Sequence, residues 1–159
     1  MEIRILKNTV VFIVAILFSC NNVTHEEYYS FNNKGWGSDS IVKFQYFISD
    51  TTKTYDMSLK IRHTIDYDFQ NLFIFLGSKT NDTIEVFLSN KKGEWLGRGV
   101  SDIREVEYVF QREKRFLKSG EHYLKVEQAM RYGDLERIEN LQHILDIGLI
   151  ISENNEQNK

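Results

Sequence analysis

The stretch "YDMSLKIRHTI", residues 55–65, alternates without a break. Its odd positions are Tyr55, Met57, Leu59, Ile61, His63 and Ile65, and its even positions are Asp56, Ser58, Lys60, Arg62 and Thr64. Successive side chains of a strand point to opposite faces, so this period of two predicts a strand with one face in a core and one in water. Such a face cannot be buried by one strand alone, and the rest of the chain supplies partners. Val42, Phe44, Tyr46 and Ile48 alternate with polar residues before the turn "SDTTK". Ile84, Val86 and Leu88 alternate again, as do Val106, Tyr108 and Phe110 against Glu105 and Glu107. Leu124, Val126 and Met130 share a face, and Ile147, Leu149 and Ile151 form the last run. "LFIFL", residues 72–76, is apolar throughout and is expected as a central strand covered on both faces.

Turn signals separate the runs: "GSKTND", "SNKKGE", "KSGE" and "RYGD". Seven or eight short strands with no long helical period predict an all-β, antiparallel β-sandwich over residues 31–151. "DLERIENLQHIL" spaces Leu135, Ile138 and Leu141 three apart, and is expected to form a helical turn at most, or a patterned loop. Residues 152–159, "SENNEQNK", read as a polar tail.

The N-terminus has a different logic. Arg4 and Lys7 precede "VVFIVAILF", residues 10–18, and then come Ser19 and Cys20. A positive start, a short apolar run and a small residue make a secretory signal. Nine residues rise only about 13 Å as a helix, against about 30 Å of bilayer hydrocarbon, so the run is too short to span. Its end resembles a bacterial lipobox, with Leu17 at −3, Ser19 at −1 and Cys20 at +1; Phe18 at −2 is bulkier than usual. The resemblance implies cleavage after residue 19 and acylation of Cys20, the only cysteine in the chain. Residues 1–19 are then a cleaved lipoprotein signal peptide, and residues 20–30 a lipidated cysteine and a polar tether. Two or three acyl chains hold a protein stably at a membrane, where one does so only marginally.

Composition narrows the function classes. Net charge is −3, so the basic surface of a nucleic-acid binder is not expected. One cysteine excludes an intramolecular disulfide and a multi-cysteine metal site. The four histidines, His25, His63, His122 and His143, make neither H-x-x-x-H nor H-E-x-x-H spacing. His63 lies on the apolar face of its strand and reads as a partly buried, hydrogen-bonded side chain. No G-x-S-x-G occurs, leaving only a triad assembled across strands as a route to hydrolysis. "GEWLGRG", residues 93–99, lacks the Lys-Ser/Thr of a phosphate loop, so Gly97 and Gly99 read as points of close backbone approach or positive φ. Asp66 and Asp68 around Tyr67 read as a solvated turn, because calcium wants six to eight oxygens. Trp36 and Trp95, with many tyrosines, allow a glycan-stacking face; the plainer reading is that they fill the core and cap the sandwich. Arg131 sits near a glycine turn, where it pairs with Asp102 or Asp134 or faces a partner. Trp36, Trp95 and Arg131 together are the candidate partner surface at one end of the sandwich.

Several stretches together resemble the gliding-motility lipoprotein GldH family of Bacteroidetes. They are "FNNKGW" (31–36), "FQYFISD" (44–50), "LKIRHTIDYDFQNLFIFL" (59–76), "GEWLGRGVSD" (93–102), "SGEHYLKVEQAMR" (119–131) and "LQHILDIGLII" (141–151). Two departures stand out: Tyr67-Asp68 replaces a common Tyr-Pro, and Ile150 takes a place often basic, which is expected to remove a surface charge. The resemblance implies a lipid-anchored, non-catalytic accessory component of the gliding and type IX secretion machinery. It implies no cofactor and no small-molecule substrate; the partners are the membrane and other envelope proteins. An envelope glycan-binding module is the alternative. In that phylum, acidic residues soon after the cysteine favour surface export. Glu26 and Glu27 come late, so an outer-membrane anchor facing the periplasm is expected.

Overall fold

The computed structural model describes residues 22–154 apart from 33–34, 78–80 and 135. The expected signal peptide, Cys20 and residues 155–159 lie outside the described residues. In chain order the strands are β1 (Val23–Ser30), β2 (Trp36–Gly37), β3 (Val42–Ile48), β4 (Thr54–Thr64) and β5 (Asn71–Gly77). They continue with β6 (Asn81–Phe87), β7 (Ile103–Lys114), β8 (Gly120–Gln128), β9 (Asn140–Leu141) and β10 (Ile144–Asn154). One four-stranded sheet has the order β1-β10-β4-β7 and the other β3-β8-β5-β6, while β2 and β9 form a short ribbon. Every pairing is antiparallel. The chain is the antiparallel all-β sandwich expected from its period-two runs.

The core is the inner face of both sheets. Met57, Leu59, Ile61 and His63 of β4 meet Ile147, Leu149 and Ile151 of β10 on one side. Phe44, Leu72, Ile74 and Val126 line the other. Leu59, Ile61, Leu72, Ile74, Val126, Ile147, Leu149 and Ile151 have no exposed surface, and each is worth about 1.5–3 kcal/mol of transfer energy. The middle of "DLERIENLQHIL" is extended: Ile138 packs against the core, and Leu141 pairs with Trp36 in the ribbon.

Three expectations are corrected. Residues 23–30, read as tether, are strand β1, laddered along β10 from Val23↔Ser152 to Ser30↔Asp146. Nearly all of its side chains remain exposed, so no apolar period marked it. Its stabilisation comes from the backbone: β10 has an open edge, and β1 satisfies that edge's N–H and C=O groups. Residues 152–154, read as tail, extend β10 to the same level. Finally, β5 is central in its sheet but covered on one face only. Leu72, Ile74 and Leu76 point inward, while Phe73 and Phe75 are half-buried on the outer face. Ile150 carries a smaller surprise, being 4% exposed rather than a surface residue.

Candidate functional site

The loops joining β2–β3, β4–β5, β6–β7 and β8–β10 gather at one end of the sandwich, opposite the start of β1. Trp36, Trp95 and Arg131 all belong to this end, but they do not make one surface. Trp36 has no exposed area. Its ring stacks on Phe31 at 4.9 Å between centroids, and its Nε1–H donates to the Ser40 carbonyl at 3.0 Å. It is removed from the candidate partner surface, because a flat apolar ring between β9 and the core gains more from burial than from presentation. Trp95 is half-buried against His63 at 4.9 Å, so neither indole stands clear as a sugar platform. The loop that holds Trp95 depends on Gly97. Its φ is +79°, and a Cβ there would overlap the Glu105 carbonyl. Reciprocal bonds between Arg98 and Glu105, at 2.9 and 2.7 Å, lock that approach. The close approach read at Gly97 and Gly99 is therefore present; at Gly99 the obstacle is the Ile103 carbonyl.

Arg131 remains exposed and forms no ion pair with Asp102 or Asp134 among the described residues. It borders a groove of about 310 Å³ on the outer face of the second sheet, lined also by Phe73, Phe75, Thr83 and Ala129. Phe87, 56% exposed, continues the aromatic strip, while Tyr123 and Phe47 are exposed farther along the sheet, separated from Phe75 by Glu127 and Lys125. The sequence signal for this face was the aromatic pair at 73 and 75, hidden by the unbroken apolar run around it.

His63 is fully buried. Its Nδ1–H donates to the Thr64 carbonyl at 2.8 Å, and Nε2 has no partner among the described residues. Burial lowers its pKa, and the Arg104 charge adds to this. It is a neutral core side chain, hydrogen-bonded at one nitrogen rather than both. Asp146 is 6% exposed, with one oxygen 3.4 Å from Arg62 and the other unpartnered. Burial pushes its carboxyl pKa up. Asp146 pairs with Arg62 and Ile144 with His63, and adjacent strand residues face opposite ways, so the two buried titratable groups sit on opposite sides of the sheet. They do not form an acid–base pair. Among the described residues no three His, Cys, Asp or Glu side chains are gathered as a metal site. Among the same residues no helix is long and apolar enough to cross a membrane.

The fold and its faces define an antiparallel β-sandwich whose accessible features are a groove on one sheet and two loop-bearing ends. A family model for the GldH lipoprotein matches residues 23–151, and the chain belongs to that family. It is 34% identical over 149 residues to a gliding motility lipoprotein GldH homolog of Christiangramia forsetii, covering 89% of this chain and 91% of that one. It is 29% identical over 157 residues to the gliding motility lipoprotein GldH of Flavobacterium johnsoniae, covering 93% and 98%. Among solved structures, a family GH115 4-O-methyl-alpha-glucuronidase aligns with a TM-score of 0.42 and 10% identity. That alignment takes in 86% of this chain but 18% of the enzyme, and such a likeness carries no argument.

Proposed function

We propose that this protein is a lipid-anchored, non-catalytic accessory component of the gliding and type IX secretion machinery, with Cys20 as the acylated residue. The membership of the GldH lipoprotein family supports the lipoprotein and motility parts of this reading. The observation that carries the mechanism is the start of β1. Only Asn21 and Asn22 separate Cys20 from Val23, where pairing with β10 begins. A domain on so short a link stays at the membrane surface, and weak contacts to neighbouring envelope proteins then suffice. The aromatic groove beside Arg131 is the surface offered to such a protein, since it combines apolar area with an exposed cation. We place the anchor in the outer membrane, facing the periplasm.

The test is genetic. A gene deletion is complemented with the native protein, with Cys20→Ala, or with Phe75→Glu, and colony spreading and secretion are measured. Cys20→Ala is expected to leave both defective despite normal protein levels. Full restoration by Cys20→Ala would refute the anchored mechanism. Full restoration by Phe75→Glu would refute the groove as the contact surface.

A further inference from the structure

The end of the sandwich where β1 starts carries an exposed apolar side chain on a pinned loop. Residues 115–119 cross from β7 to β8 over the end of the core. Phe116 turns inward, 7% exposed, with its ring edge-on to Tyr46, Tyr55 and His122 at 6.1, 5.7 and 4.9 Å. Leu117 beside it turns outward and is 95% exposed, the most exposed large apolar side chain described. The loop is held on both sides. Before it, Glu113 takes a φ of 51° and its N–H donates to the Asp56 carboxylate at 2.8 Å. After it, the Lys118 carbonyl meets His122 Nε2 at 3.0 Å. A single exposed leucine on a protein surface is ordinary. One projected by a pinned loop, with exposed Lys114, Arg115 and Lys118 around it, is a different object.

Position supplies the second argument. The Asn22 carbonyl accepts from Glu153 N–H at 2.9 Å, Glu153 pairs with Tyr55, and Tyr55 pairs with Lys114. One row across the sheet therefore joins the chain's entry to the base of this loop. Three strand spacings put them about 14 Å apart, at the same height. Cys20 lies two residues before Asn22, a reach of at most about 7 Å. A lipid on Cys20 can enter a bilayer only if this end of the sandwich lies against it.

We propose that residues 114–118 are a second membrane contact, with Leu117 seated among the acyl chains and Lys114, Arg115 and Lys118 on anionic headgroups. Apolar insertion ringed by cations is the chemistry of an interfacial anchor, and long basic side chains reach up to the headgroups while their stems stay apolar. Two of the acidic groups nearby are balanced by cations, Glu153 by Lys53 and Asp56 by Arg112, while Asp50 and Glu121 hydrogen-bond to the neutral Thr52 and Gln45 and keep their charge. Glu113 and Glu121 are exposed acids that oppose the pattern, and they lie on the flanks of the loop rather than within residues 114–118. With two contacts about 14 Å apart the domain no longer pivots on its lipid. It stands with the Trp95 and Arg131 end pointing away from the membrane.

This proposal rests on the anchor at Cys20, and the test separates the two. The full-length lipoprotein, expressed so that it is processed, is reconstituted into vesicles of phosphatidylethanolamine and phosphatidylglycerol. Leu117→Cys or Val100→Cys supplies a thiol for an environment-sensitive fluorophore; Val100, 85% exposed, marks the far end. Lipids carrying a quencher in the acyl chain report depth. Quenching at residue 117 is expected to exceed that at residue 100 by about threefold or more, and to fall toward parity when Arg115→Glu and Lys118→Glu are added. Protein that floats with the vesicles yet shows equal quenching at both sites overturns the second contact and leaves the anchor standing. Protein that does not float overturns the anchor, and the second contact with it.

Discussion

Trp36→Ala is the sharpest test of the architecture. The side chain has no exposed area, stacks on Phe31 and donates to the Ser40 carbonyl. Truncation leaves a cavity between β2, β9 and the core and removes that hydrogen bond. Buried tryptophan-to-alanine changes cost about 3–5 kcal/mol. With an unfolding entropy of about 2.1 cal/mol/K per residue over about 130 folded residues, a loss of about 4 kcal/mol lowers Tm by about 15 °C. Thermal unfolding followed by near-ultraviolet circular dichroism reads this directly. Val100→Ala, at an 85% exposed position of the same end, serves as the control and is expected to stay within about 0.5 kcal/mol of the parent. A Trp36→Ala protein that melts within about 3 °C of the parent would refute the buried placement and restore Trp36 as a surface residue.

Gly97→Ala sets a Cβ against the Glu105 carbonyl at a positive φ, and a loss of about 1–3 kcal/mol is expected in denaturant unfolding. His63→Gln tests the buried imidazole. Its pKa is lowered in the folded state, so below about 6.5 the unfolded chain binds a proton that the folded one refuses. Stability from this group is therefore full above 6.5 and lost as pH falls below it, and the variant's Tm is expected to change less than the parent's between about pH 6.5 and 5.5. Phe116→Ala is expected to cost about 3–5 kcal/mol in chemical unfolding, whereas Leu117→Ser next to it stays within about 0.5 kcal/mol in solution. Equal effects of the two would contradict their opposite orientations.

What each residue pattern could reveal follows from how burial works. A strand with one dry face writes a period of two, so residues 55–65 announced β4, and similar runs announced β3, β7 and β10. The strand β1 wrote no apolar period, because it is held by a backbone ladder and by scattered contacts such as the Tyr28 ring over Gly148 and His25 against Tyr46, which follow no spacing. "LFIFL" was ambiguous for the opposite reason. An unbroken apolar run is the same whether the second face is covered or left open, and only the pairing of β5 between β8 and β6 leaves Phe73 and Phe75 on an outer surface.

The sequence by itself determined the fold class, the N-terminal signal pattern ending at Cys20, and the family. These are local or linear properties, carried by alternation, by charge followed by an apolar run, and by ordered motifs. Only the tertiary structure decided which aromatics are structure and which are surface. Trp36 went inward because β9, more than a hundred residues later, closes over it. Leu117 went outward because its neighbour Phe116 had already filled the end of the core. Both outcomes depend on packing between segments far apart in the chain, and no spacing along the sequence encodes that distance.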